Sequence, residues 1–545
     1  MTRRVSRADV STFNVMCCAL AVVGVSTAYF GATRFTMASG VIVAYLAMCV
    51  GVLRAHRQRS LPIAYGATTH DETYATGTLI AYASQTGFAE QLAVQTATLL
   101  SRADHVVHVE PLDALSLETL ARYRRALFIV STTGEGDAPD HATSFVRNVM
   151  CANATASLRG LRYGVLALGD RSYHDFCAFG HALDRWLRNH HAEPLFDLIE
   201  VNEGDPAALR SWQTCVSSPT ASIENDTLVP GAPTRWILNS RTLLNPGSAG
   251  EPAFHVCLEP ADPAALSWQA GDIAEIRPAH PEIVVRRWIQ RLSVREDVVV
   301  ECDGERKTFF EAIATRVLPA IVDPLSGQSP QTILDSLDPL PSRQYSISSL
   351  PADGQLELLV RQSRYRDASS RDGVGLGLAS GWLTQHAARG ASISVWLRTN
   401  RSFHPPSDDR PLILIGAGTG LAGLRAHLKL RAVRGHYRNW LIVGERSAAH
   451  DAFHSHELAQ WKSEGVLQRL DQAWSRDGGE CRYVHDAMRS AAEHLQQWVQ
   501  DGASIYVCGS MQRMAQTVHA ALIDVLGEAQ LVGLREAGRY RRDVY

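Results

Sequence analysis

Short apolar runs, each closed by a turn and mostly followed by a helical stretch, recur in two separate blocks of this sequence. In the first block the strand candidates are Leu79–Tyr82, Val106–Val109, Leu127–Ser131 and Tyr163–Leu168; in the second they are Leu412–Ile415, Trp440–Val443 and Ile505–Cys508. This alternation specifies doubly wound α/β layers with parallel strands. Between the blocks runs a segment of β character, including Phe254–Leu258 and Ile273–Ile276, that ends near Pro406. A chain of 545 residues is too long for one hydrophobic core, so about three folded units are expected. Breaker-rich stretches at 60–76 and 217–233 read as linkers. The expected units are therefore 77–216, 234–408 and 409–545, preceded by a distinct segment at 1–59.

That first segment reads as membrane-seeking. Phe13–Ala32 is an uncharged apolar run and Met37–Leu53 is a second, slightly shorter one. Roughly 20 apolar residues span a bilayer as a helix. Arg3, Arg4 and Arg7 precede the first run, and Arg54, Arg57 and Arg59 follow the second. The positive-inside bias then keeps both flanks cytoplasmic and makes the pair a two-helix hairpin with one short external loop. A charged start before an apolar stretch also fits a cleaved signal peptide; the second run and its basic flank argue against that. Neither run contains a histidine, so no haem is expected there.

The net charge of -3 gives no footprint for nucleic acid. The ten cysteines form no CxxC pair, so neither a disulfide scaffold nor a metal site is expected, and a reducing compartment suits the soluble part.

Three loops of the first block carry chemistry. Ser84-Gln85-Thr86-Gly87-Phe88-Ala89 stands between a strand and a helix, where small hydroxyl residues and glycine let backbone N–H groups wrap a phosphate. Thr132-Thr133-Gly134-Glu135-Gly136-Asp137 and Leu168-Gly169-Asp170-Arg171-Ser172-Tyr173 close two later strands. All three loops converge at the carboxyl edge of such a sheet, where these folds bind ligands. Tyr173 could stack on a planar ring; an exposed loop tyrosine is the plain alternative. In the last block Gly416-Ala417-Gly418-Thr419-Gly420-Leu421-Ala422 follows an apolar strand; alone, such a turn is usually a packing turn.

With these motifs in place, residues 77–545 resemble the diflavin reductases, and the ending, with 464–477, looks most like the flavoprotein subunit of assimilatory sulfite reductase. The resemblance implies α/β lobes plus a β-barrel: a flavodoxin-like FMN domain, a ferredoxin-reductase-type FAD barrel and an α/β NADP-binding lobe. It places the FMN phosphate on Ser84, Gln85, Thr86, Gly87, Phe88 and Ala89, with the FMN ring between Thr132, Thr133, Gly134, Glu135 and the stretch Leu168, Gly169, Asp170, Tyr173 to Phe176. Arg343-Gln344-Tyr345-Ser346 resembles the family's Arg-x-Tyr-Ser signature for FAD; Gly377-Leu378-Ala379-Ser380 resembles its second pyrophosphate turn, and Trp268–Asp272 a third fixed point. For NADPH it implies Gly418, Thr419, Gly420, Ser475, Arg476, Arg482, Tyr483 and Cys508. An arginine there would clamp the 2′-phosphate. Ser346, Cys508 and Asp543 would surround hydride transfer, and the terminal Tyr545 would cover the FAD ring.

Departures stand out too. Phe88 replaces a hydroxyl residue, Thr133 an aromatic, Gly423 a proline and Ser510 an aspartate, and the insert between Asp272 and Arg343 is short. The reading is a membrane-anchored reductase at the cytoplasmic membrane, its catalytic domains in the cytoplasm, passing electrons from NADPH through FAD and FMN to a hemoprotein, with a sulfite-reductase-type hemoprotein one candidate. A membrane-side ferric or siderophore reductase is the rival; a flavin-binding scaffold without turnover is remote.

Overall fold

A parallel sheet needs crossovers and an antiparallel one needs only hairpins, and the computed structural model of the chain separates along that line. It describes residues 77–102, 105–133, 136–139, 142–151, 157–171, 175–202, 204–217, 233–367, 373–510 and 514–544. The expected hairpin, the linker 60–76, the linker 217–233 apart from its first and last residues, and Gly134, Glu135, Tyr173 and Tyr545 lie outside these residues. Among the described residues no single helix is long and apolar enough to cross a membrane.

The first lobe is a parallel sheet of β1 (Thr78–Ala83), β2 (Val107–Pro111), β3 (Arg125–Ser131), β4 (Arg162–Gly169), β5 (Glu193–Pro194) and β6 (Ile199–Asn202). The strand order is β2-β1-β3-β4-β5, with β6 also on β4, the flavodoxin-type order with its switch point between β1 and β3. Leu79, Ile80, Leu127, Phe128, Ile129, Val165 and Leu166 are buried, since both sheet faces are covered. Helix α1 (Phe88–Ser101) leaves from the β1 turn, and α2 (Ala178–Asn189) from the turn after β4.

The middle lobe is an antiparallel sheet in the order β12-β9-β16-β7-β8-β13. Its strands are β7 (Thr234–Leu243), β8 (Ala253–Pro260), β9 (Ile273–Arg277), β12 (Arg343–Ser346), β13 (Leu356–Arg361) and β16 (Ser392–Arg398). Between β9 and β12 the short insert folds on its own core: α3 (Glu282–Leu292), the hairpin β10–β11 (Val299–Cys302, Glu305–Thr308), α4 (Phe309–Ile313) and α5 (Pro330–Asp335). Its first helix buries Val285, Trp288, Ile289 and Leu292, the i, i+3, i+4, i+7 stripe expected of a helix packed on one side. A second, small hairpin, β14–β15 (Arg364–Arg366, Val374–Leu376), follows β13.

The third lobe returns to parallel strands in the order β19-β18-β17-β20-β21. These are β17 (Leu412–Ala417), β18 (Asn439–Glu445), β19 (Arg469–Trp474), β20 (Ser504–Gly509) and β21 (Tyr540–Val544). Helix α6 (Leu421–Arg434) follows the glycine turn, and α7 (Ser455–Ser463) follows the loop after β18. The tail, which terminal position alone would leave as frayed surface, is an edge strand paired with β20, with Asp543 in register with Cys508.

Candidate functional site

The loop after β1 is held by its own side chain: the Ala89 N–H donates to Ser84 Oγ at 3.1 Å. Gly87 caps α1 with φ +81°, a left-handed backbone that suits glycine. The phosphate expectation rests on the backbone N–H groups of this loop, and the Phe88 side chain adds no donor to them. Its ring packs against the lobe's core and lies 5.5 Å from the Arg398 guanidinium of the middle lobe. Thr132 Oγ1 accepts from Phe179 N at 3.3 Å, and Thr133 Oγ1 donates to Asp137 O at 3.1 Å to close its turn. Gly136, φ +117°, lies where a Cβ would sit 3.0 Å from Asp175 Cβ, so the second and third loops touch. At the β4 end, a Cβ on Gly169 would meet Cys177 N at 2.9 Å and Phe176 Cδ2 at 3.0 Å. Phe176 carries Arg171 over its ring at 5.1 Å. Leu168 is buried in the sheet, and Asp170 leaves its end.

The same edge docks on the other two lobes. A Cβ on Gly87 would lie 2.0 Å from Thr399 O. Gln85 Nε2 donates to Arg542 O at 3.0 Å, and Ser402 Oγ donates to Gln85 O at 3.0 Å. Arg398 donates to Gln91, Arg401 pairs with Glu90 at 3.4 Å, and Arg147 pairs with Glu536. A cavity of about 770 Å³ remains between these surfaces, bordered by Ser84, Gln85, Gly87, Arg401, Arg541 and Arg542 among others. None of these contacts between lobes was visible in the motifs.

One residue beyond Arg542, the tail reaches a buried cluster. Ser346 Oγ donates to Asp543 Oδ2 at 2.6 Å, and Cys508 Sγ lies 3.8 Å from Ser346 Oγ and 3.7 Å from Asp543 Oδ2. The three residues expected together at the hydride site come together from β12, β20 and β21. Burial pushes the Cys508 thiol well up, so it stays a thiol, and burial raises the Asp543 carboxyl against two hydrogen bonds that lower it. Gly423 borders the cluster: a Cβ there would stand 3.4 Å from Cys508 Sγ and 3.5 Å from Ser346 Cβ.

Around the cluster the middle lobe supplies two further signatures. Arg343 and Gln344 are exposed on the edge strand, whereas Tyr345 packs on the middle lobe's core, where burial raises its phenol. Ser380 Oγ accepts from Ser363 N at 3.0 Å. A Cβ on Gly377 would meet Ser380 Oγ at 2.9 Å. Ala379 is buried and Leu378 is exposed. The Trp268–Asp272 stretch is a structural brace. Trp268 Nε1 donates to Ser349 O at 2.9 Å, and Asp272 Oδ1 accepts from Asn400 N at 2.9 Å and sits 2.6 Å from His404 Nε2.

In the third lobe the glycine turn serves packing as well as any ligand. Gly418 has φ +62°, and a Cβ on Gly420 would lie 2.1 Å from Cys508 O, so Gly420 lets the turn press against β20; Thr419 lies between them. Ser475 N donates to Glu445 O at 2.9 Å and Arg476 N to Arg446 O at 2.8 Å. This lays the ends of β18 and β19 side by side. Arg476 and Arg482 are exposed there, and Arg482 Nη2 donates to Ser475 O at 3.2 Å. The exposed ring of Tyr483 stacks on His485 at 5.4 Å. The sequence offers Arg446 only as an alternative reader of the 2′-phosphate. It joins this edge, with its Nη1 buried and lacking a hydrogen-bond partner.

Comparison with known proteins agrees with this geometry. Residues 80–212 match the flavodoxin family and residues 414–520 the oxidoreductase NAD-binding domain family. The sulfite reductase [NADPH] flavoprotein alpha-component of Vibrio cholerae serotype O1 is 30% identical, over 86% of this chain and 87% of the relative. The proteins of the same description from Salmonella typhi and Neisseria meningitidis serogroup C are each 28% identical, covering 86% and 85% of this chain and 90% and 88% of their own. The chain belongs to the diflavin reductase family, NADPH-dependent oxidoreductases that work with FMN and FAD.

Proposed function

We propose that this chain is a membrane-anchored reductase that takes electrons from NADPH and delivers them singly to a hemoprotein, with a sulfite-reductase-type hemoprotein as the first candidate. The observation that carries the route is the terminal strand. Asp543 bonds the buried Ser346, while the adjacent Arg542 carbonyl holds Gln85 of the flavodoxin-like loop. One strand thus links the hydride site to the edge from which electrons leave. Bound flavins supply the redox chemistry, FAD accepting hydride and FMN releasing single electrons, and the protein supplies position and electrostatics.

The residues fit these groups. Gly87 and Gly136 take backbone conformations that shape the first two loops of the FMN edge, and Gly377 lets its turn close tightly on Ser363 and Ser380. Arg343, Gln344, Tyr345 and Gly377 to Ser380 would hold FAD. Ser475, Arg476 and Arg482 would hold the 2′-phosphate, with the partnerless Nη1 of Arg446 behind them. Ser346 would orient the flavin edge through its hydroxyl. Asp543 would keep that hydroxyl aimed, and the Cys508 thiol would exclude water from the hydride path. Tyr545 would cover the ring until nicotinamide displaces it. The apolar runs at 13–32 and 37–53 support an anchor at the cytoplasmic membrane with the lobes on the cytoplasmic side.

The acceptor is tested by steady-state assay of the purified full chain with NADPH against a sulfite-reductase-type hemoprotein and against ferric siderophores. Saturable reduction of the hemoprotein supports the proposal; turnover with ferric siderophores alone sinks it in favour of the rival reading.

A further inference from the structure

On the side of the middle lobe that faces the third lobe, three side chains suited to a metal ion converge and a fourth borders them, although their spacing in sequence shows no metal motif. His255 and Cys257 stand two apart on β8 and therefore share one face of the strand. Glu357 of β13 lies directly opposite Cys257 in the antiparallel register. His255 Nε2 is 3.2 Å from Glu357 Oε2 and 3.9 Å from Cys257 Sγ. The three donor atoms lie within 4.8 Å of one another. Ligand bonds of zinc to nitrogen, oxygen and sulfur set tetrahedral donor separations of about 3.3–3.7 Å, so side-chain rotations that close the widest pair by about 1 Å suffice. A fourth candidate borders the group of three from the other lobe. The His454 ring meets the His255 ring edge-on at 5.1 Å, and its Nε2 is fully buried without a hydrogen-bond partner.

We propose that His255, Cys257, Glu357 and His454 bind one divalent cation of the zinc class, which pins the third lobe to the barrel. The surroundings supply the outer groups that such sites use. Arg425 bonds Glu357 Oε2 at 2.5 Å and Glu457 at 2.6 Å, Gln355 donates to Glu357 Oε1 at 2.9 Å, and His454 Nδ1 lies 3.8 Å from Glu457 Oε2. Lys429, 4.0 Å from Glu357, is neutralised by Asp353 at 2.8 Å. The Arg425 guanidinium uses one lone pair of Glu357 Oε2 and leaves another for the metal.

The test uses the purified, flavin-loaded full chain, stripped with a chelator and titrated with Co²⁺ and then Zn²⁺. The expected result is one cobalt per FAD, with thiolate charge-transfer and d–d bands, the latter beyond the absorption of oxidised flavin, and displacement by Zn²⁺. Cys257→Ser should abolish the thiolate band, and His454→Gln should weaken binding by about tenfold or more. Both variants should keep their flavins and their NADPH–ferricyanide rate, which separates loss of metal from loss of fold. Absence of saturable binding by the unaltered chain overturns the proposal, as does a cobalt spectrum that survives in Cys257→Ser.

Discussion

Replacing Gly87 by alanine puts the docking of the flavodoxin-like lobe to a quantitative test. The added Cβ would lie 2.0 Å from Thr399 O, and ordinary contact begins at 3.4 Å, so the surfaces must part by about 1.4 Å. The carbonyl has little room to retreat, because its neighbours are pinned: Arg398 to Glu275 at 2.6 Å and Asn400 N to Asp272 at 2.9 Å. Parting breaks the Gln85–Arg542 and Ser402–Gln85 hydrogen bonds, each worth about 1 kcal/mol net. Two such losses lower the docked population by about 30-fold. The left-handed φ of +81° costs alanine a further 1–2 kcal/mol or so, which falls on the loop in docked and undocked states alike and so weakens FMN retention. Stopped-flow mixing with NADPH, in excess FMN, separates the two effects. Reduction of the FAD site should proceed at the unaltered rate, and transfer to the FMN site should slow by about tenfold or more. Unaltered interflavin transfer with FMN retained would refute the contact.

Three further outcomes follow from the geometry. Arg476→Ala should weaken NADPH by about 10- to 150-fold, the value of a charge-assisted contact of roughly 1.5–3 kcal/mol, and leave NADH nearly unchanged; equal loss for both would mean that Arg446 or Arg482 reads the phosphate. His427, buried between Phe403 and Tyr506 at 5.0 Å from each ring, is pushed down to about 3 by burial and by repulsion from His404, Arg541 and Arg431. Its proton then binds the unfolded chain first, so stability falls as pH drops from about 6.5 towards 3, by up to tenfold in the folding constant per pH unit. Urea midpoints across that range should fall less steeply in His427→Phe, and an identical slope would contradict the assignment. Deleting residues 1–76, which hold none of the candidate cofactor residues, should leave NADPH–ferricyanide activity intact and release the protein from membranes; a folded but inactive truncation would show that the segment does more than anchor.

How far the sequence was legible depended on whether a feature was local. Each strand read from an apolar run exists, most of them longer by one or two residues, as with Leu412–Ile415 within β17. Burial on both sheet faces writes a continuous apolar signature. Ser346, Cys508 and Asp543 were legible as a set only through the family resemblance. What unites them is the pairing of β20 with β21 and the approach of β12, which no local pattern encodes. Gly420 and Gly87 read as ligand glycines, yet their tightest constraints are the backbones of Cys508 and Thr399. Phe88 stands in the phosphate loop where a hydroxyl residue is common; its ring packs on the core and the Arg398 face, which leaves only its backbone for a phosphate. The insert read only as short, although its residues form a small core of their own. The His255–Cys257–Glu357–His454 cluster escaped because its members meet across paired strands and a lobe boundary, about 200 residues apart at the extreme.

In the proposed route electrons pass from NADPH through the middle lobe to the flavodoxin-like edge before they leave. The most direct measurement is selective removal of FMN from the purified full chain, after flavin extraction has fixed the starting ratio, followed by assay with two acceptors. The account predicts equal FMN and FAD at the start, retained NADPH–ferricyanide activity after FMN removal, and loss of hemoprotein reduction that added FMN restores. Hemoprotein reduction that persists without FMN, or a single flavin in the starting protein, would contradict it.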